Sequence, residues 1–285
     1  MTIAFPEMKK IRLTTVLMVL LLLLMVAYYL ILNKDKYSRH QNTIVASRVD
    51  SVKKTQPACV FVLDTNVSAE FLTGKFDPAK DDDFTLVDPE YGNRTDLYLL
   101  KDTYKAFIKM FYAAQHDGIK LFIISATRNF NYQKRIWEAK WNGSKAVDGK
   151  NLATTVKDPV KRAEIILKFS SMPGTSRHHW GTDIDINSMD VKYFETPPGN
   201  KVYDWLTKNA FKYGFCQPFN SKETRTNGYE EEKWHWSYMP LSSLFLKAYQ
   251  KKVSYDYISG FSGSETAVEL DVINHYVLSV NPECK

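Results

Sequence analysis

Two short segments of this chain carry the residue types that chemistry needs: Ser176-Arg-His-His-Trp-Gly-Thr-Asp-Ile-Asp185 and Glu232-Lys-Trp-His235. Between them they offer two imidazoles, His178 and His235, one carboxylate, Asp185, and a spare acid, Glu232. A catalytic zinc site needs three protein ligands, an open position for water and a base that takes that water's proton. The pairing therefore points to an enzyme, and among enzymes to a hydrolase. Either segment alone would be weak evidence, because a lone histidine such as His40, His116, His179 or His275 is more often a surface or satisfied core residue. An acid three residues before the second histidine gives the combination its weight.

The elements that must position these residues follow from side-chain periodicity. Along a strand over Thr182–Ile186, Asp183 and Asp185 share one face while Thr182, Ile184 and Ile186 share the other. The apolar face packs on a core and leaves the carboxylates pointing into a cleft. His178 lies seven residues before Asp185, across a turn that Gly181 accommodates. In a second strand over Trp234–Tyr238, the residues Trp234, Trp236 and Tyr238 are expected opposite His235. Glu232 is three residues from His235, the wrong offset for one strand face, so it must lie in the bend before the strand begins.

The rest of the chain reads as mixed helix and strand. Asp96–His116 has apolar residues at Leu99, Leu100, Tyr104, Phe107, Ile108, Phe111 and Tyr112, the spacing of an amphipathic helix, and Asp117-Gly118 supplies its stop. Strands are expected over Cys59–Leu63 and Leu121–Ile124. Helices are expected over Tyr132–Trp141, Pro159–Phe169, Val202–Tyr213 (closed by Gly214) and Ser264–Leu278. Without regular strand–helix–strand alternation, this order predicts an α+β fold: one domain with a small antiparallel sheet flanked by helices. The Asp81-Asp82-Asp83 run lacks the alternate-residue spacing of a calcium loop and reads as a solvated turn.

Composition bounds the partners. The 285 residues are 44% hydrophobic and 25% charged, ordinary globular material apart from the first forty positions. Thr14–Leu32 is uncharged and almost wholly apolar, and 19 residues at about 1.5 Å each span roughly 28 Å, close to the hydrocarbon thickness of a bilayer. The competing reading is a cleaved signal peptide, since Lys9, Lys10 and Arg12 precede the run. The run is long for that, continues into Tyr28-Tyr29 and has no small-x-small cleavage site. A single-pass anchor is expected at 14–32, after a short tail at 1–13 and before a polar linker at 33–56 and a domain at 57–285. The net charge of +6 is concentrated at the N-terminus: the first forty residues hold six basic and two acidic side chains, leaving +2 for the remainder. A near-neutral domain gives no argument for nucleic-acid binding. Cys59, Cys216 and Cys284 form no C-x-x-C pattern, which excludes a cysteine zinc site. Two of them can pair outside the cytoplasm, Cys59 with Cys284 stapling the domain's ends, or any one can be a buried thiol.

The pattern Ser176-x-His178-x-x-Gly181-x-x-x-Asp185 followed by Glu232-x-Trp-His235 resembles the zinc D,D-carboxypeptidases of the vancomycin-resistance type. Their wider group includes D-alanyl-D-alanine dipeptidases, L,D-carboxypeptidases, phage endolysin peptidases and the hedgehog-like fold. Ser125-Ala-Thr-Arg128-Asn-Phe-Asn-Tyr-Gln133 is similar to the family's Ser-Gly-Tyr-Arg-Ser-x-x-x-Gln segment, and the three motifs arrive in the family's order over roughly 97–246. The resemblance implies that His178, Asp185 and His235 bind one zinc ion and that Glu232 is the general base, then the acid for the leaving amine. It implies that Arg128 contacts the substrate carboxylate or the developing oxyanion, with Gln133 nearby and Ser176 in support. An arginine fork suits the bidentate grip on a terminal carboxylate.

There are departures. The family's usual Ala is Asp183 here, which either orients a histidine or tunes the metal. Lys233 replaces a usual Pro, and Ala126-Thr127 replaces Gly-Tyr. The activity implied is removal of the C-terminal D-alanine from peptidoglycan stem peptides, on the extracytoplasmic side of a bacterial inner membrane. The rivals are L,D-carboxypeptidase or endopeptidase cleavage by the same site, and a non-catalytic module that binds cell-wall peptide.

Overall fold

Antiparallel pairing decides where the helices can start. A computed structural model describes residues 67–285 together with Met25 and Tyr28. The chain divides into two compact units, Met1–Val62 and Leu63–Lys285. Met25 and Tyr28 are helical and exposed; the rest of the expected anchor and the strand expected over Cys59–Leu63 lie outside the described residues. Among the described residues no helix is long and apolar enough to cross a membrane.

After a one-turn helix over Ala69–Leu72 and a 3-10 turn over Pro78–Lys80 comes a two-stranded sheet, β1 (Phe84–Leu86) against β2 (Tyr98–Leu100), with Thr85 opposite Leu99. The helix expected from Asp96 therefore starts later, as α1 (Lys101–His116), because Tyr98–Leu100 is drawn into pairing with a segment twelve or more residues upstream. Helix α1 buries Ala106, Phe107, Met110, Phe111 and Ala114, so of the expected stripe Phe107 and Phe111 reach the core while Tyr104, Ile108 and Tyr112 flank it half-buried; the helix ends where the Asp117 N–H bonds back to the Ala113 carbonyl. The Asp81–Asp83 segment is a turn whose Asp81 carboxylate accepts from the Asp83 N–H at 3.0 Å.

The second sheet holds β3 (Ile123–Ser125), β4 (Asp183–Ile186), β5 (Phe215–Cys216) and β6 (His235–Tyr238) in the order β3-β4-β6-β5, with every pairing antiparallel. The α+β expectation holds. Around it lie α2 (Phe130–Trp141), α3 (Pro159–Leu167), α4 (Gly199–Asn209) and α5 (Met239–Lys252). Asn129 caps α2 by accepting from the Tyr132 N–H, and Asp158 caps α3, with Pro159 in the first turn, where its missing N–H costs nothing. The helix expected over Val202–Tyr213 starts earlier, at Gly199, and tightens into a 3-10 turn over Ala210–Tyr213 before Gly214 closes it.

One face of this sheet makes the core. Ile184 and Ile186 of β4, Phe215 of β5 and Trp236 of β6 pack with Phe107 and Met110 of α1 and Leu206 of α4. Seven large side chains at roughly 1.5–3 kcal/mol of transfer free energy each fix this face inward, and a one-residue slip in β4 would turn its aspartates into the core instead.

Two sequence expectations fail. The last helix is broken: one α-turn over Thr266–Glu269 is followed by Asp271 at φ 46° and a π-turn over Ile273–Val277. The Asp271 carboxylate accepts from Tyr255 Oη at 2.6 Å and from Asn274 Nδ2 at 2.8 Å, side-chain bonds that compete with helix continuation. Cys284 pairs with Cys216, across a Cα separation of 5.7 Å, and not with Cys59, which lies outside the described residues. The bond ties the end of β5 to the C-terminal turn.

Candidate metal centre

The register of β4 on β6 sets Asp185 directly opposite His235, Ile184 opposite Trp236 and Asp183 opposite Ser237. Directly opposed residues point to the same face with their Cβ atoms about 5 Å apart, so Asp185 and His235 meet above the sheet while Ile184 and Trp236 meet in the core beneath it. His178 arrives from a 3-10 turn over Arg177–Trp180, whose end is reversed by Gly181 at φ 71°. A Cβ on Gly181 would lie 2.4 Å from the Phe84 ring, so both its conformation and its clearance require glycine.

His178, Asp185 and His235 each present a ligand atom within 4.8 Å of the others, and all three are buried. Their tautomers are fixed from behind. His178 Nδ1 lies 2.8 Å from the Ala126 carbonyl, which can only accept, so the lone pair is on Nε2. His235 Nε2 lies 2.9 Å from Asp183 Oδ1, which leaves Nδ1 facing Asp185 Oδ1 at 3.5 Å and Glu232 Oε2 at 3.1 Å. His178 Nε2 and Asp185 Oδ1 are buried without a hydrogen-bond partner. Buried polar atoms are nearly always partnered, so two orphaned acceptors converging beside a third are what a cation fits. The donor set, two imidazoles and a carboxylate, suits zinc.

The electrostatics agree. Burial disfavours the charged form of every group here. It lowers the pKa of His178, with Arg128 adding to the effect. Burial acts the same way on His235, yet its hydrogen bonds to Asp183 and Glu232 outweigh it and push the ring up to about 9. Positive charge is welcome at that position. Burial also opposes ionisation of the two aspartates, but Arg177 beside Asp183 and His178 beside Asp185 hold both carboxyls well below the usual range. Glu232 moves the other way: burial raises it, with Asp185 adding to the effect against His235 and Arg128. A carboxyl shifted upward can both take and return a proton.

Asp183, the departure noted above, is the group that orients His235. Its Oδ1 also accepts from Arg177 Nε at 3.0 Å and its Oδ2 from the Thr182 hydroxyl at 2.5 Å. Arg177 Nη2 donates to Ser237 Oγ at 2.6 Å, and its guanidinium lies 4.7 Å from the Trp180 ring centroid. A buried carboxylate held by an arginine, a hydroxyl and the ligand histidine is saturated. Arg177 was not singled out from sequence; the signal was an opposite-charge pair, Arg177 and Asp183, six residues apart in one short motif.

Glu232 sits in the bend that β6 leaves behind: the His235 N–H bonds to the Glu232 carbonyl at 3.1 Å, closing a turn. Because the strand starts at His235, Trp234 belongs to that turn and does not join Trp236 on the core face. It lines the cleft instead, with Phe169 at 6.1 Å. This cleft, of about 490 Å³, is walled by Asp185 and Glu232 at the metal end, by Arg128 and Ser125, and by Tyr132, Ile136 and Lys140 of α2. Those three are four residues apart and so share a helix face, while Gln133 and Trp137 occupy the buried one.

Arg128 is held by its backbone. Its N–H bonds to the His178 carbonyl at 3.0 Å, and its own carbonyl accepts from His179 Nδ1 at 2.5 Å. His179 takes its second bond from the Gly174 N–H at 3.0 Å, so it is a satisfied core histidine, as expected. The Arg128 Nε has no partner. Gln133 and Ser176 are buried and are not among the residues lining the cleft; Gln133 Nε2 donates to the Ser171 carbonyl at 2.8 Å, and Gln133 Oε1 and Ser176 Oγ are unpartnered.

Fold and site together define an α+β protein with a buried cluster of three candidate metal ligands, His178, Asp185 and His235, at the end of an open cleft. The D-alanyl-D-alanine carboxypeptidase (VanY) family model matches residues 96–241, just over half of the chain, and the protein belongs to that family. Among curated proteins it is similar to a D-alanyl-D-alanine carboxypeptidase of Enterococcus faecalis, 28% identical over 134 residues, which are 47% of this chain and 46% of the relative. One from Enterococcus faecium is 25% identical over 148 residues, 52% of this chain and 39% of the relative. The chain thus spans less than half the length of these relatives. A zinc-bound variant of the vancomycin-resistance D,D-pentapeptidase VanY, from a VanB-type cassette, aligns with a TM-score of 0.44 at 24% identity, covering 64% of this chain and 93% of that one.

Proposed function

We propose that this chain is a zinc-dependent D-alanyl-D-alanine carboxypeptidase that removes the C-terminal D-alanine from peptidoglycan stem peptides. The observation that carries the reading is the pair of orphaned buried acceptors, His178 Nε2 and Asp185 Oδ1, beside a Glu232 carboxylate 3.1 Å from the third donor, His235 Nδ1. His178, Asp185 and His235 are the ligands. Zinc bound there supplies Lewis acidity and brings a water's pKa toward ~7. Glu232 takes the proton from the attacking water and returns it to the leaving amine, a double role that its raised pKa suits. Arg128, at the cleft wall with an unpartnered Nε, meets negative charge on the substrate, either the terminal carboxylate or the oxyanion that grows in the transition state. Gln133 and Ser176 support that wall from behind.

We place the catalytic domain at 57–285 and the membrane anchor at 14–32, joined by the linker at 33–56, with the domain on the extracytoplasmic side of a bacterial inner membrane. The uncharged run Thr14–Leu32 supports the anchor. The Cys216–Cys284 bond supports an oxidising compartment.

The test compares peptides ending in D-Ala-D-Ala with free and with amidated C-termini, using the full-length zinc-loaded protein. Cleavage of the free acid and at least a hundredfold loss on the amide is the expected outcome, since a buried charge-assisted contact is worth about 1.5–3 kcal/mol and two such bonds are available to an arginine fork. Equal cleavage of both would make the protein an endopeptidase, and cleavage only of tetrapeptides would make it an L,D-carboxypeptidase.

A further inference from the structure

Lys140 is a cation set into the cleft without an anion. It lies on the same face of α2 as Tyr132 and Ile136, four and eight residues on from Tyr132, and lines the cavity that ends at Asp185 and Glu232. Its ammonium donates to Ser170 Oγ, in the segment after α3. Among the described residues it forms no ion pair; Lys145 and Arg128 repel it, outweighing the attraction of Glu232 and Asp148. Burial, reinforced by Lys145 and Arg128, brings its pKa down to about 8. A half-buried ammonium beside two other cations is costly to maintain unless an anion completes it. Of the other cations of this wall, Arg94 is already paired with Asp96, at 2.6 Å, and Lys145 is exposed to solvent. Arg128 and Lys140 are therefore two anion-seeking groups in one cavity, and a peptide with a single terminal carboxylate satisfies only one of them.

We infer that Lys140, with Ser170, forms a second anion subsite, which selects peptides carrying a further carboxylate besides the C-terminal one. This rests on the peptidase reading above and specifies its substrate class. In a stem peptide that carboxylate comes from one of two sources, the α-carboxylate of a γ-linked D-glutamate or the second carboxylate of a diamino-dicarboxylic residue. Ser170 acts as the fixed acceptor that aims the ammonium, and its hydroxyl can turn to donate to the same anion.

The experiment uses full-length protein and three D-Ala-D-Ala-terminated peptides: one with both internal carboxylates free, and one with each amidated in turn. Wild type should favour the fully free peptide over one of the two amides by roughly tenfold in kcat/KM, the value of one charge-assisted contact, and the amide that suffers identifies the source. Lys140→Met should erase that preference by lowering kcat/KM for the fully free peptide to that of the disfavoured amide. Lys140→Arg should restore the preference.

Binding of the same peptides to zinc-loaded Glu232→Gln protein, with and without Lys140→Met, reads the subsite without turnover. A failure of cleavage would then count against the peptidase reading alone. The inference is overturned if wild type shows no preference, if Lys140→Met loses activity equally on all three peptides, or if the binding ratio is the same in both backgrounds.

Discussion

The two walls of the cleft are built in opposite ways. On the sheet side, Asp183, Arg177, Ser237 and Thr182 form a closed network behind His235, every contact direct and every residue buried. On the helix side, Arg128 and Lys140 are half-buried cations, and neither is matched by a carboxylate within ion-pair distance among the described residues. The sheet wall pairs its charges within the protein, with Arg177 Nη1 left without a hydrogen-bond partner, and so fixes geometry before any ligand arrives. The helix wall holds charge that only a ligand can complete. Preorganisation for a metal and appetite for an anionic substrate are thus separated across one cavity, with Glu232 between them.

The largest effect should come from removing a donor on the sheet wall. His235→Ala should reduce bound zinc from one per chain to near zero, measured by elemental analysis, and abolish turnover, because a two-ligand remnant cannot compete for the metal. Retained stoichiometric zinc would remove His235 from the ligand set.

Next comes the group between the walls. Glu232→Gln should keep one zinc and lower kcat by roughly 10²–10⁴, the usual worth of a general acid–base group. Normal kcat with normal zinc content would leave the base unassigned.

A smaller effect should follow from the support behind His235. Asp183→Ala should weaken zinc affinity by roughly 10–100-fold in a chelator competition. It should also lower stability by about 3–5 kcal/mol, because Arg177 is left buried and unpaired. The double change Arg177→Met with Asp183→Ala should recover part of the stability and none of the affinity. Recovery of both would mean that the network contributes packing alone.

The smallest effect on the site should come from the far end of the sheet. Reducing Cys216–Cys284, which closes a 68-residue separation, should cost about 2–4 kcal/mol in chemical denaturation while leaving zinc affinity unchanged.

What could be read from the sequence was what local periodicity controls. The alternation of Asp183, Ile184, Asp185 and Ile186 told which face was core, and the three-residue offset of Glu232 from His235 required the bend where it is found. The features that could not be read depend on distant partners. Tyr98–Leu100 carries helical spacing but is claimed by Phe84–Leu86, and Cys284 chooses Cys216 through space. The run after Ser264 has helix-compatible residues until Tyr255, which precedes it, captures Asp271. Trp234 fell on the unexpected side because the strand starts one residue later than its apolar pattern suggests. Within the site, the ligands belong to a spaced motif, whereas Arg177 and Lys140 become meaningful only when the fold brings Asp183 and Ser170 to them.

The most direct test of the central claim is D-alanine release from a muramyl pentapeptide by the full-length protein, measured with zinc, after chelation and after zinc is restored. The account predicts release that disappears with the metal, returns with it, and is slowed by roughly 10²–10⁴ in Glu232→Gln at equal zinc content. Release that survives chelation, or a folded zinc-loaded protein that leaves pentapeptide, tetrapeptide and cross-linked peptide all intact, would contradict it.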